Sequence, residues 1–461
     1  MAKVKTAYVC NECGAEHTQW QGQCSVCGIW NSLSRISLGS VKGASLGSRT
    51  DAMLGVAGGE AEVKILAEID SAKTSRLLTG FTELDRVLGG GLVPGSVVLI
   101  GGDPGAGKST LLLQVSTAMA GRQEVLYVSG EESLQQLAMR ARRLDLPLDR
   151  LRVASETRAE EVARLIERHA PQVVVLDSIQ VMQLDGIDSV PGSVTQVRET
   201  AAFFTRLAKQ KGIVVILVGH VTKDGNLAGP KVLEHMIDCF IMLDSPAGAR
   251  YRTLRGLKNR FGPVNELGVF VMTDGGMKEV QNPSAIFLQR AESPSPGSVT
   301  TVTWEGTRPL LVEIQALVDS LQGGHPRRIA VGLDPQRLGM HLAVLHRHCG
   351  VSLGDQDVFA NVVGGVRIAE TGADLALMTA VLSSFRNVRL PKDLIVFGEL
   401  GLTGEVRPVV NGQERLREAV KHGFKRALIP AGNQARPGVK GMQIEAVATL
   451  AEGLERVAAM D

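Results

Sequence analysis

The chain has 461 residues, of which 44% are hydrophobic and 21% charged; at roughly 100 to 200 residues per domain it is too long for one small fold and too apolar for wholesale disorder. Fifty Lys and Arg face 48 Asp and Glu, a net charge of +2, so no global field draws the protein to a polyanion and any nucleic-acid contact must be local. Six cysteines cannot staple a chain of this length, and four of them sit within the first 27 residues, which favours a metal over disulfides.

The opening Met-Ala-Lys-Val-Lys is followed by no apolar leader, and the longest apolar runs, such as 213–218, are far too short to span a bilayer. A cytoplasmic protein without membrane contact is expected. Residues 8–30 carry Cys10-x-x-Cys13 and Cys24-x-x-Cys27. Each pair puts two thiolates on a tight knuckle, and the ten residues between them let both knuckles meet on one tetrahedral ion. Two such pairs in a segment with almost no core predict a four-cysteine Zn2+ finger rather than a redox centre. His17 is available to replace a ligand but is not required. Residues 31–75, rich in Gly, Ser and Ala with little period, read as a flexible linker.

From 76 to 282, apolar runs at 97–100, 125–128, 173–176 and 213–218 alternate with helix-like stretches, the βαβ pattern of a parallel sheet. Runs at 239–243, 251–257 and 269–273 have no long helices between them, so the sheet is expected to end in antiparallel strands. The run 97–100 leads into Gly101-Gly102-Asp103-Pro104-Gly105-Ala106-Gly107-Lys108-Ser109-Thr110, a Gly-x-x-x-x-Gly-Lys-Ser loop between a strand and a helix-compatible stretch. Backbone N–H groups from Gly102 to Thr110 can curl around a phosphate at the helix N-terminus, Lys108 neutralises its charge, and Ser109 supplies an oxygen to Mg2+. ATP with Mg2+ is the expected ligand.

The run 173–176 ends in Asp177, where a carboxylate would complete the magnesium site; a turn cap is the plain alternative. The segment Ser129-Gly130-Glu131-Glu132-Ser133 follows the run 125–128 directly, and Glu131 and Glu132 supply a candidate to orient the attacking water. Adjacent side chains point differently, and one of the two can serve as a helix cap instead; Glu131 is the preferred base. His220, after 213–219, is a candidate sensor of the γ-phosphate, with a structural histidine as the equal alternative. Residues 283–298, containing Ser-Pro-Ser-Pro-Gly, read as a second linker, and 299–461 as a separate α/β domain. His341, His346 and His348 beside Cys349 lack the spacing of a metal site, and Cys239 and Cys349 read as small buried apolar residues.

The two cysteine knuckles, the loop ending Gly107-Lys108-Ser109, the run Lys258-Asn259-Arg260-Phe261-Gly262 and a final domain similar to that of Lon proteases together resemble the bacterial RadA (Sms) family of DNA repair proteins over nearly the whole chain. The resemblance implies a RecA-like P-loop ATPase core, a small N-terminal zinc-binding module and a C-terminal Lon-protease-like α/β domain. It further implies a homo-oligomeric ring, a hexamer, that binds single-stranded DNA and drives branch migration or strand extension in homologous recombination. Branched recombination intermediates and a RecA recombinase are the implied partners. Lys258 and Arg260, expected on a turn after the run 251–257, are suited to reach a neighbour's γ-phosphate or a DNA phosphate. DNA-facing loops are expected at 183–195 and 223–231, each with an ordinary surface connection as the alternative. With only 17 aromatics in the chain, backbone contact is favoured over base stacking.

Lon-type proteolysis needs a serine activated by a lysine. The matching segments here, Glu370-Thr371-Gly372-Ala373-Asp374-Leu375 and 404–414, have Gly or Ala at the nucleophile and Gln413 near the lysine, so a non-catalytic scaffold is expected. Arg386, Arg389 and Lys392 are candidates for phosphate contact on its surface, a solvated face being the commoner use. A DNA-dependent ATPase motor is thus the leading reading. A zinc-containing, ATP-controlled scaffold for repair proteins and an ATP-dependent peptidase are the competitors.

Overall fold

The computed structural model describes residues 5–10, 16–17, 19–26, 28, 30, 33–38, 65, 75–219, 232–245, 251–288, 295–321, 323–434 and 437–459. The chain divides into two compact units, Met1–Val280 and Gln281–Asp461. Among the described residues no helix is long and apolar enough to cross a membrane.

In the first unit, β1 (Lys5–Cys10) lies between β2 (Glu16–His17) and β3 (Leu33–Leu38) in a small antiparallel sheet. Strand β3 falls inside the segment expected to be linker. Leu33 is buried, and every residue from Lys5 to Cys10 finds a partner on β3. The cysteine-bearing segment therefore extends to Leu38.

Nine strands form the main sheet: β4 (Val97–Gly102), β5 (Val125–Ser129), β6 (Arg152–Ser155), β7 (Val173–Asp177), β8 (Val214–Val218), β9 (Cys239–Asp244), β10 (Tyr251–Asn259), β11 (Leu267–Thr273) and β12 (Gly276–Glu279). Their order is β12-β11-β10-β9-β4-β8-β7-β5-β6. Strands β4 to β9 are parallel and β10 to β12 antiparallel. Strand β9 thus corrects the sequence expectation: it runs parallel to β4, because the connection containing the helix Val232–Met236 carries the chain across before β9 begins. Alternate residues of the central strands feed two cores. Val98, Ile100, Tyr127 and Val175 pack with the helix Lys108–Ala120, and Val97, Leu99, Val128 and Leu176 with the helix Val194–Lys211. Cover on both faces is why these strands read as unbroken apolar runs.

The second unit is a seven-stranded mixed sheet, with β18 (Glu399–Leu400) and β19 (Val406–Arg407) forming a separate short ladder. The seven are β13 (Ser298–Glu305), β14 (Arg308–Ser320), β15 (Arg328–Val331), β16 (Gln356–Val362), β17 (Leu394–Val396), β20 (Arg426–Pro430) and β21 (Gln443–Val447), in the order β15-β16-β14-β13-β17-β20-β21. The expected linker 283–298 is partly structured here. The helix Pro283–Phe287 is capped by Asn282, its Ser284 Oγ accepts from Leu311 N at 3.2 Å, and Phe287 is fully buried.

Candidate nucleotide-binding site

The loop after β4 is held open from below. Gly102 has φ +154°, and a Cβ there would lie 2.4 Å from the backbone oxygen of Leu243. Gly107, at φ +107°, caps the helix Lys108–Ala120. Between them Asp103, Pro104 and Gly105 are exposed, and Ala106 N donates to Asp103 O at 3.1 Å. Because the contact at Gly102 is with backbone, nothing nearby yields. Gly102→Ala is expected to cost the first unit about 2–3 kcal/mol, read as a lower calorimetric transition.

Lys108 is buried, and its Nζ donates to Gly102 O at 2.6 Å and Asp103 O at 3.0 Å. Burial lowers its pKa, while the negative charges of Asp177, Asp103 and Glu131 oppose the shift. Arg252 Nε on β10 donates to Ala106 O at 3.2 Å, tying the antiparallel strands to the loop.

Asp177 ends β7, directly opposite Ser129 at the end of β5. Tyr127 Oη donates to its Oδ2 at 2.5 Å, and Gly130 N donates to Asp177 O at 2.8 Å. The two glutamates after β5 diverge. Glu131 is exposed, accepts from Ser178 Oγ and acts on Lys108; Glu132 pairs with Arg140 on the following helix. That helix, Leu134–Arg143, is capped by Ser133 with Gln136 in a reciprocal capping box, so neither glutamate is needed as a cap.

Lys258 is placed differently from the sequence expectation, whereas Arg260 lies on the bend after β10, as expected. Lys258 lies within β10 rather than on a turn, because β10 runs on to Asn259 past an irregularity between Gly256 and Lys258. Its Nζ donates to Glu234 O and, at 2.9 Å, to Ile237 O. Arg260 Nη1 donates to the buried Asp238 at 3.3 Å. Both cations thus hold the carbonyl-rich end of the helix Val232–Met236. His220 and the loop 223–231 lie outside the described residues. In the stretch 183–195, Gln183 bridges to Arg158, Val190 is exposed and the helix Val194–Lys211 starts after its cap Ser193.

In the small sheet, Cys10 ends β1, whereas Cys13 and Cys27 lie outside the described residues. Cys24 is buried, its carbonyl accepts from Gly28 N at 2.8 Å in a tight turn, and its Sγ lies 3.5 Å from His17 Nε2. A sulfur and an imidazole nitrogen at that separation are a donor set suited to zinc, although among the described residues no three such ligands converge.

In the second unit, the segment 370–375 is filled by ion pairs. Glu370 accepts from Arg415 through both oxygens, at 2.7 and 2.6 Å. Asp374 accepts from Arg337 and from Leu400 N, with His341 Nε2 3.2 Å away. Gln413 Nε2 donates to Asn433 O at 2.7 Å. His348 turns instead to Leu402 O, so the histidines share no site. Arg386, Arg389 and Lys392 are exposed.

Sequence reasoning passed over Tyr127, Ser178 and Arg252. A tyrosine inside a wholly apolar strand was a usable signal, since a buried phenol needs a partner; for Arg252 no local signal existed.

A glycine-rich loop leading a central parallel strand into a helix, with its lysine in the field of carboxylates from two other parallel strands, defines a P-loop nucleoside triphosphatase. Residues 63–226 match the family model of the AAA domain, 8–35 that of the rubredoxin metal binding domain, and 342–433 that of subunit ChlI of Mg-chelatase. The chain is 59% identical to DNA repair protein RadA of Haemophilus influenzae over 98% of its length and 99% of the relative's. It is 57% identical to the Escherichia coli protein of that name, again over 98% and 99%, and 45% to that of Bacillus subtilis over the same shares. A solved KaiC-like protein of Pyrococcus horikoshii OT3 is similar at 18% identity over 45% of this chain and 99% of its own, with a TM-score of 0.39. The chain belongs to the DNA repair protein RadA family. Its core is a RecA-like ATPase, preceded by a zinc-ribbon segment and followed by a Lon-like α/β domain.

Proposed function

We propose that this ATPase is a DNA-dependent motor of repair and homologous recombination, which moves along single-stranded DNA and drives branch migration from within a hexameric ring. The observation that carries the reading is the convergence of Lys108, Asp177 and Glu131 at the ends of β4, β7 and β5. Backbone N–H groups from Gly102 to Thr110 hold the phosphates of ATP, and Lys108 exchanges its bonds to Gly102 and Asp103 for phosphate oxygens. Ser109 and Asp177 carry the Mg2+ shell. Magnesium, when bound, neutralises phosphate charge. Glu131 orients the attacking water and takes its proton, giving up the Ser178 hydroxyl to do so.

Cys10, Cys13, Cys24 and Cys27 hold Zn2+ in this reading. Lys258 gives up the carbonyls of Glu234 and Ile237 to meet a phosphate, and Arg260, exposed beside Asp238, keeps donors free for one, which makes the pair suited to link the segment 234–238 to the ATPase cycle. The Lon-like domain, without Ser and Lys at the matching positions, serves as a non-catalytic scaffold. The protein works in the cytoplasm, with branched DNA and a RecA recombinase as partners.

The deciding experiment measures ATP turnover with and without single-stranded oligonucleotide, Lys108→Ala serving as the blank, and follows migration of a labelled four-way junction. Turnover several-fold higher with DNA and junction movement that requires ATP are expected. Equal turnover in both conditions with a static junction overturns the motor reading.

A further inference from the structure

Tyr127 is the one aromatic residue of β5, and it is fully buried. Its ring packs among Val98, Val175 and Ile216 on the face of the sheet covered by the helix Lys108–Ala120. A phenol in such a place needs a hydrogen-bond partner, and this one reaches Asp177 Oδ2 at 2.5 Å, 50 residues along the chain. The register explains the reach. Ser129 faces Asp177 across β5 and β7, so Tyr127 lies two residues earlier on the same face as the carboxylate.

We propose that Tyr127 is a positioning residue for the reaction: its hydroxyl holds the Asp177 carboxylate by one oxygen and keeps it presented to the magnesium shell instead of collapsing onto Lys108. The inference rests on the reading of Asp177 as the carboxylate of that shell. Two observations carry it. The phenol is the one donor that the described contacts give to the Asp177 side chain. Asp177 is the acidic group that acts most strongly on Lys108, so a released carboxylate has a cation close by to turn to.

Ser178, the next residue, donates to Glu131. Consecutive residues therefore connect the two catalytic carboxylates, and an Asp177 that rotates also moves the support of Glu131. Tyr127 supplies order at the base of this arrangement without touching nucleotide, water or metal.

The test is Tyr127→Phe, which keeps the ring and its packing and removes only the donor. Binding of a fluorescent ATP analogue is titrated with Mg2+ and repeated in EDTA, alongside Asp177→Asn, and turnover is followed over the same magnesium range. The half-saturating Mg2+ concentration should rise about tenfold in Tyr127→Phe, the weight of one hydrogen bond to a charged group. Affinity in EDTA should match wild type, and turnover should recover as magnesium is raised. A magnesium curve that overlays wild type reduces Tyr127 to packing and overturns the inference. So does an equal loss of affinity with and without magnesium. If Asp177→Asn also leaves the magnesium curve in place, the assignment of Asp177 itself fails; if it abolishes the magnesium response while Tyr127→Phe does not, only the role of Tyr127 fails.

Discussion

Glu131→Gln should lower ATP turnover by about 10²- to 10⁴-fold, the usual weight of a general base, while ATP binding changes less than about threefold. The amide keeps the shape and a hydrogen-bond acceptor for Ser178, but it cannot take a proton from water. Glu132→Gln separates the two carboxylates. Glu132 is committed to Arg140 in a pair whose side chains are 24% and 29% exposed, so its loss falls on stability. A part-solvated pair of this kind is worth about 1 kcal/mol or less, and turnover should drop less than about tenfold. Single-turnover hydrolysis with pre-bound ATP separates the chemical step from binding. If Glu132→Gln stops the chemistry and Glu131→Gln does not, the roles of the two residues are exchanged.

The second large effect lies in the other unit, at Arg415. This side chain is completely buried, and its guanidinium meets both oxygens of Glu370 as well as the carbonyls of Val302 and Val410. Trp304 and Phe397 stand 5.9 and 5.8 Å from it. Arg415→Ala removes the wholly buried member of the pair with its packing and leaves the part-exposed Glu370 with the Trp304 N–H as its donor, a change that costs about 3–5 kcal/mol. For a unit of this size, this is a fall of about 6–20 °C in its melting temperature. Calorimetry of the whole chain should place that shift in the transition of the second unit and leave the ATPase transition where it was. An unmoved second transition would show that the pair contributes nothing. Glu370 also accepts from Trp304 N at 2.8 Å, so the pair ties β13 to the helix Gly412–Lys421 across the segment where a hydrolytic enzyme would keep its serine.

The ATPase site was legible to the extent that its signals are local. Lys108 and its glycines sit in one contiguous loop, Asp177 directly follows an apolar run, and the glutamate pair comes two residues after another. The sequence preferred Glu131 but could not assign either glutamate its partner, because Ser178 and Arg140 are side chains brought in by β7 and by the next helix. Strand β3 was hidden in a Gly- and Ser-rich stretch for a related reason. Six residues of weak alternation become a strand only when β1 lies alongside. Lys258 and Arg260 looked like free cations because the carbonyls and the carboxylate they bind are more than twenty residues away.

The order of residues alone therefore accounts for the phosphate loop, the parallel core, the paired cysteines and the missing serine and lysine of the last domain, since each depends on neighbours in the chain or on a period of two. The folded arrangement alone assigns partners to Glu131 and Glu132, sets Tyr127 beneath Asp177, closes Lys258 and Arg260 onto 234–238 and buries Arg415 against Glu370. Those contacts join residues from 8 to 50 positions apart, and the pairing of charges and donors over such distances depends on sheet order and register, which no local pattern encodes.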